Sequence, residues 1–186
     1  MVSLAALWMP IVVSAVFVFI ASSIIWMVLP IHKSDFSKLP DEEKVMQVIR
    51  EQKLPTGMYS YPHCNHKDMK NPEMVAKYKV GPWGCITAAS TPPNMGIALG
   101  MWLVNLLIIT TGVAFLASKT FIPGSDYMKV FTFVAIAAFL GHGGGILCDS
   151  IWKGRPWKAM PSTLFDAVVY ALLTAGTFGW LWPKMI

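Results

Sequence analysis

Charged side chains are scarce in this sequence. Asp, Glu, Lys and Arg make up 13% of the 186 residues, whereas hydrophobic residues make up 55%; soluble domains usually have about 25% charged residues. The apolar residues come in long blocks, and a chain of this length cannot hide them all in a water-soluble core. The composition therefore excludes an ordinary soluble domain and predicts an all-α integral membrane protein.

Cysteine is also sparse, and the motifs of common enzymes are missing. Cys64, Cys85 and Cys148 are scattered and form no CxxC pair, so no disulfide framework is indicated. No Walker loop, GxSxG, HExxH or CxxCH motif occurs. The formal net charge is +5, but no basic run with interleaved aromatic residues occurs, so nucleic acid is not an expected partner. These absences favour a protein that is not an enzyme.

Four apolar runs are long enough to cross a bilayer. No charged side chain occurs from Val2 to Ile31, and about 20 apolar residues span the hydrocarbon core. The lack of Lys and Arg there favours an uncleaved anchor over a signal peptide. The predicted spans are residues 8–29, 95–117, 128–149 and 164–182. They divide the chain into a first transmembrane helix (1–30), a polar juxtamembrane segment (31–94) and a three-helix transmembrane region (95–186).

Lys and Arg are unevenly distributed between the loops. With four spans, segment 31–94 and the loop between the third and fourth spans lie on one side and contain twelve of these residues, against three on the other. Positive residues concentrate on the cytoplasmic side. Segment 31–94 is therefore predicted to be cytoplasmic and both termini to lie on the opposite side, in a membrane of the bacterial inner-membrane type.

The polar segment contains structural signals of its own. Proline followed by acidic residues predicts the start of one helix, and an asparagine–proline pair predicts the start of another. Two further stretches are typical of extended strands that can pair. The helices are predicted at 40–53 and 72–80, and the strands at 57–62 and 83–88. We expect about four transmembrane helices with a small α+β juxtamembrane cap between the first and second spans.

A His-Cys-Asn-His stretch is the sharpest cluster of metal-ligating side chains. His63, Cys64 and His66 provide imidazole and thiolate ligands, which suit a soft or borderline ion such as Cu(I) or Zn(II). Their spacing matches no standard zinc pattern. A polar turn before a short helix is therefore the favoured interpretation, with a copper or zinc cofactor or a redox thiol as the alternatives.

A glycine-rich stretch surrounds a histidine in the third predicted span. It consists of Gly141, His142, Gly143, Gly144 and Gly145. Small residues at four-residue spacing let another helix approach closely, and a neutral histidine can hydrogen-bond across the contact, so helix packing is the favoured interpretation. His142 and Asp149 are seven residues apart and would share one face of a continuous helix. An ion path is therefore the alternative.

Tryptophan and basic residues alternate in the loop before the fourth span. Such residues anchor a helix end at the lipid headgroups, and a dedicated lipid or partner contact is the alternative. The residues are Trp152, Lys153, Arg155, Trp157 and Lys158. Trp26 and Trp102 lie near other span ends and are assigned to the same interfacial belt. The pattern Thr163-x-x-Asp166 is typical of helix capping and gives Asp166 no function.

Three functional hypotheses follow from these features. The leading one is a small multi-pass membrane protein that acts as a non-catalytic accessory or assembly subunit of a membrane complex or homo-oligomer. Its partners would be the lipid bilayer and other membrane subunits or further copies of itself. The second is a homo-oligomeric channel or transporter with His142 near the path. The third is a metal- or redox-linked membrane protein that uses His63, Cys64 and His66.

Overall fold

Long apolar helices dominate the structure. The computed structural model describes residues 1–185, which are mostly helical. Within these residues, four helical stretches are long and apolar enough to cross a membrane: Leu4–Met27, Met95–Thr120, Tyr127–Trp152 and Trp157–Trp180. The prediction of a mostly helical chain with four such stretches is therefore confirmed.

The described residues contain seven α-helices and two β-strands. The helices are α1 (Trp8–Met27), α2 (Glu42–Glu51), α3 (Pro72–Val80), α4 (Met95–Thr120), α5 (Tyr127–Gly143), α6 (Ile146–Trp152) and α7 (Met160–Trp180). The strands are β1 (Gly57–Tyr61) and β2 (Gly84–Ala88). Short 3-10 turns occur at Leu4–Leu7, Pro30–His32, His66–Asp68 and Trp157–Ala159.

The chain divides into two compact units. The first contains Met1–Phe36, Asn94–Leu147 and the chain from Pro156 onward; the second contains Ser37–Pro93 and Cys148–Arg155. In the first unit α7 packs against α1 and α5, and α4 packs against the same two helices. Val18, Leu106 and Phe178 are among the fully buried side chains between these helices. This bundle positions the site described below.

The second unit has the predicted small α+β fold. Asp41 caps α2 by accepting a hydrogen bond from the Lys44 backbone N–H, and Asn71 caps α3 through the Glu73 N–H. Side-chain oxygens at these positions satisfy backbone donors that have no partner within the helix. β1 and β2 pair antiparallel, with Gly57 opposite Ala88 at one end of the ladder. The prediction of two short helices and a paired sheet between the first and second apolar stretches is confirmed.

The third apolar stretch, predicted as a span over 128–149, contains a turn between two helices. α5 ends at Gly143 and α6 begins at Ile146. Gly144 closes α5 by donating its N–H to the Leu140 carbonyl at 2.9 Å. A Cβ atom on Gly144 would lie 2.6 Å from that same carbonyl oxygen. The turn between the two helices therefore depends on glycine at this position.

We expect Gly144→Ala to lower the free energy of unfolding by about 1–3 kcal/mol, because relieving an overpacked contact with a carbonyl requires a backbone shift. Gly145→Ala is the matched control, since no atom lies within 4 Å of its Cβ position, and its effect should stay within about 0.5 kcal/mol. Denaturant titration of both variants in the same detergent measures the difference. Equal stability of the two variants would contradict this interpretation of the turn.

Candidate functional site

A histidine between two carboxylates lies at one end of the helical bundle. His32 is at the end of the 3-10 turn that follows α1, and its side chain is buried. Its Nδ1 atom lies 2.8 Å from Asp35 Oδ2, and its Nε2 atom lies 3.1 Å from Asp166 Oδ2. Both ring nitrogens therefore face carboxylate oxygens, which connects the end of α1 to α7.

Trp26 completes the surroundings of the Asp166 carboxylate. Its indole Nε1–H donates a hydrogen bond to Asp166 Oδ2 at 3.1 Å. The same indole stacks on the His32 ring, with the centroids 3.9 Å apart and the planes 8° from parallel. Ser162 in turn donates its hydroxyl hydrogen to Asp35 Oδ2 at 2.9 Å. We refer to Trp26, His32, Asp35, Ser162 and Asp166 together as the polar cluster.

The position of Asp166 corrects its predicted capping role. α7 begins at Met160, and Asp166 lies beyond the first turn of the helix, where backbone N–H groups already have partners within the helix. The residue is 4% exposed. A buried carboxylate needs hydrogen-bond donors, and Trp26 and His32 provide them. The resemblance to a capping pattern is therefore accidental.

An open cavity of about 490 Å³ adjoins the polar cluster, between α1, α4, α5 and α7. Its wall is largely apolar and aromatic, and includes Trp26, Met27, Met95, Leu99, Trp102 and Tyr170. The lining residues come from the C-terminal parts of α1 and α5 and the N-terminal parts of α4 and α7. Because neighbouring helices run in opposite directions, all these parts meet at the same end of the bundle.

Two indoles assigned from the sequence to an interfacial belt form part of this cavity. Trp26 bonds to the polar cluster, and Trp102 donates its Nε1–H to Ser22 Oγ at 2.9 Å. Trp102 also lies near Tyr170, with the ring centroids 6.3 Å apart. Both indole N–H groups thus have partners on other helical segments of the same bundle. Their aromatic faces are held in place at the cavity wall.

His142 lines the cavity, and one of its ring nitrogens is buried without a partner among the described residues. Its Nε2 atom is buried and has no hydrogen-bond partner within residues 1–185. Its ring meets the Tyr170 ring edge-on, with the centroids 5.4 Å apart. An unsatisfied buried polar atom costs roughly 1–3 kcal/mol, and such atoms are rare in folded proteins.

The structure separates His142 and Asp149 into different helices, α5 and α6. The expectation that they share a face stays a prediction. Asp149 instead forms an ion pair with Lys153, whose Nζ lies 2.7 Å from Asp149 Oδ1. The hydrogen bond from Lys153 to this carboxylate raises the pKa of the lysine. The ion path stays a prediction.

Two of the glycines around His142 pack against other helices of the same chain, whereas Gly145 has nothing within 4 Å of its Cβ position. A Cβ atom on Gly141 would lie 3.0 Å from the Ile109 side chain on α4, and one on Gly143 would lie 3.2 Å from Ala167 on α7. Small side chains therefore allow the close approach of α5 to its neighbours within the bundle.

The His-Cys-Asn-His stretch lies in the second unit. His63 Nδ1 is 3.3 Å from Ser60 Oγ, the Cys64 thiol donates to the Asn65 carbonyl, and His66 begins a 3-10 turn. Within residues 1–185 no group of three or more His, Cys, Asp or Glu side chains is placed to hold a metal ion. Copper or zinc binding here stays a prediction.

The basic and aromatic loop is largely exposed. Trp152, Lys153, Trp157 and Lys158 have exposed side chains, and Arg155 is half-buried. The turn itself depends on Gly154, which has a φ of +73° and a Cβ position 3.2 Å from the Trp83 ring. The lipid or partner contact predicted for this loop stays a prediction.

Comparison with protein-family models, with characterised proteins and with solved structures gives no match to this chain. Function is therefore inferred from the side chains of the cavity and the polar cluster. They combine an apolar aromatic wall with a few fixed polar groups, as small-molecule sites usually do.

Proposed function

We propose that the four long apolar helices span a membrane of the bacterial inner-membrane type, and that the chain binds an amphipathic small molecule in the cavity between them. The outer faces of these helices support insertion, because large apolar side chains such as Val104, Ile136 and Leu140 are exposed there. Exposed apolar surface on this scale suits lipid and not water. The charge bias of the loops supports a cytoplasmic position for segment 31–94.

The observation that carries the proposed binding role is the largely apolar, aromatic cavity between the four helices, with the buried Asp166 in its lining. The cavity volume of about 490 Å³ lies within the range of roughly 300–1,000 Å³ typical of small-molecule sites. An apolar part of the ligand would contact Met95 and Leu99 on α4, while a polar group would lie near the lining residues Ser23 and Thr163.

The end of the bundle where the cavity lies is the end from which segment 31–94 extends. In a membrane this end would lie near the headgroups of one leaflet. A molecule in the cavity would then have its polar group close to the interface and its apolar part toward the hydrocarbon. An amphipathic ligand fits this gradient better than a fully apolar or a fully polar one.

The wider role that we propose for this binding is that of a non-catalytic accessory or assembly subunit. The second unit supports this role, because α2 carries exposed apolar side chains at Val45, Met46 and Val48. Such a helix face is suited to contact with another membrane subunit or with a second copy. Native mass spectrometry after gentle extraction tests it: foreign subunits or a defined oligomer would support the role, and a bare monomer would oppose it.

We expect Leu99→Trp to fill the cavity and to reduce the bound small molecule per chain by at least about tenfold, which corresponds to roughly 1.4 kcal/mol of binding free energy. Val104→Trp is the matched control, because Val104 is on the same helix but is exposed and does not line the cavity. Native mass spectrometry of protein extracted from its own membrane measures the retained molecule. If Leu99→Trp and the control kept the same molecule at the same level, the cavity would not be its site.

A further inference from the structure

An asparagine lies near the middle of the long apolar helix α4. At about 1.5 Å per residue, Asn105 is about 15 Å along the helix axis from Met95 and about 22 Å from Thr120, the two ends of the helix. Its side chain is exposed and too short to reach either edge of a hydrocarbon layer roughly 30 Å thick. In a membrane this amide would face lipid chains if the protein were alone.

The Asn105 amide is unusual among the polar groups of the long helices. The hydroxyls of Thr110 and Thr174 donate to carbonyl oxygens one turn earlier in their own helices, at 2.9 and 2.8 Å. The Asn105 side chain has two donor hydrogens and one acceptor oxygen, and none of them has a hydrogen-bond partner within residues 1–185. An amide without a partner is costly in hydrocarbon, because lipid chains offer neither donors nor acceptors.

Asn105 belongs to a row of residues that follows a heptad repeat along α4. The spacing alternates between three and four residues, which is the pattern by which two helices pack along each other in a left-handed crossing. Small or polar side chains alternate with large apolar ones. We refer to these six residues, all of them exposed, as the α4 stripe: Ala98, Met101, Asn105, Ile108, Gly112 and Phe115.

The α4 stripe lies on a different face of the helix from the bundle core and the cavity. Leu106 and Val113 are buried in the core, and Met95, Leu99 and Trp102 line the cavity; none of them belongs to the stripe. No atom lies within 4 Å of the Cβ position of Gly112, so another helix can approach closely there. A partner on the stripe would therefore leave the core and the cavity unchanged.

We infer that two copies of this chain associate in the membrane along their α4 stripes, with the two Asn105 amides hydrogen-bonded to each other. This inference rests on the proposed membrane insertion and names the partner. Copies with the same orientation in the membrane bring their α4 helices together in parallel about a two-fold axis, so each stripe residue meets its counterpart at the same depth.

The chemistry of the amide favours a second copy as the partner. An amide both donates and accepts hydrogen bonds, so the side chain of Asn105 is complementary to itself. A single asparagine in a heptad repeat fixes the register of a helix pair. The small residues Ala98 and Gly112 lie one heptad before and after Asn105, which lets the two backbones come close enough for the amides to bond.

Self-association is tested by energy transfer between full-length chains that carry a donor or an acceptor fluorophore, in liposomes at increasing lipid-to-protein ratios. We expect a dimer, and we expect Asn105→Leu to weaken it about tenfold, which corresponds to about 1.4 kcal/mol. Asn105→Gln keeps the amide and should retain most of the dimer. Thr111→Val is the matched control, because it removes an exposed polar group of α4 outside the stripe and should leave the dimer unchanged.

Disulfide cross-linking locates the contact. In a chain whose three native cysteines are replaced by serine, Ile108→Cys places a thiol on the α4 stripe, and Ile136→Cys places one on the exposed side of α5. We expect oxidation with copper phenanthroline to join two chains through residue 108 and not through residue 136. Adding Asn105→Leu to the Ile108→Cys chain should reduce the yield.

The outcomes separate this inference from the proposed function. Alkaline extraction shows first whether the chain is inserted in the bilayer, and a chain that this treatment removes would overturn both the proposed insertion and the inference. An inserted chain that stays monomeric, or a dimer that Asn105→Leu leaves unchanged, would overturn the inference alone. Cross-links that join residue 108 only to a foreign protein would also overturn it.

Discussion

Replacing Asp166 with alanine is expected to lower the free energy of unfolding by about 2–4 kcal/mol, because two polar groups lose their partner and each unsatisfied buried group costs roughly 1–3 kcal/mol. The carboxylate accepts a hydrogen bond from Trp26 and lies 3.1 Å from His32 Nε2. Without it, the indole N–H and one imidazole nitrogen lose their partner in a buried environment. Denaturant titration in a fixed detergent measures the loss.

Two further variants show whether the loss is specific to the polar cluster. Asp68→Ala removes an exposed aspartate in the second unit and should change stability by no more than about 0.5 kcal/mol. Asp166→Asn keeps a side-chain oxygen that accepts from Trp26, so we expect a loss between those of the other two variants. An Asp166→Ala variant as stable as Asp68→Ala would show that the cluster does not hold α1 to α7.

We expect Phe178→Ala to cost about 3–5 kcal/mol, in the range of buried Phe truncations. Phe178 is fully buried at 0% exposure and belongs to the core between α4, α5 and α7. Its removal leaves a void that neighbouring helices fill only in part, and the atoms around the void lose dispersion contacts. The same titration measures the effect.

Phe17→Ala is the matched control for this core prediction. Phe17 is on α1 and is 42% exposed, so lipid or detergent chains replace most of the contacts that the ring makes. Its truncation should cost less than about 1 kcal/mol. Similar losses for both phenylalanines would contradict the placement of Phe178 in the interior of the bundle.

Much of the fold could be predicted from the sequence, because helices and strands are indicated by residues that are close together in the chain. The apolar runs gave the four long helical stretches, and α3 occupies Pro72–Val80, the range that its asparagine–proline start and its glycine–proline end indicated. The position of the break in the third stretch was not predicted. A glycine run permits a turn, but its position depends on the contact between Gly144 and the Leu140 carbonyl, which has no pattern in the sequence.

The candidate site could not be predicted in the same way, because its members are far apart in the chain. Trp26 and Asp166 are 140 residues apart, and His32 and Asp166 are 134 residues apart. Residues that are so far apart in the chain form no periodic pattern that the sequence would reveal. One signal was available: Asp166 is an acid close to an apolar run, and ionisable residues in such places usually have a partner. The Thr163-x-x-Asp166 pattern gave a simpler explanation for this residue, so no partner was predicted for it.

Tryptophan near span ends gave an ambiguous signal. Tryptophan occurs in an interfacial belt and can also line a cavity at one end of a bundle. Both positions lie at the same depth along the bundle, so the sequence does not distinguish them. The difference lies in the partner of the indole N–H, which is Asp166 for Trp26 and Ser22 for Trp102. Such partners are on other helices and become visible only when the bundle is assembled.

The presence of a bound molecule in the bundle is tested most directly by an experimental density map of the full chain, purified with the lipids of its own membrane. We predict density for a small molecule in the cavity, in contact with Trp26, Met95 and Leu99. A cavity that is closed by its own side chains, or that contains only water, would contradict the proposed function.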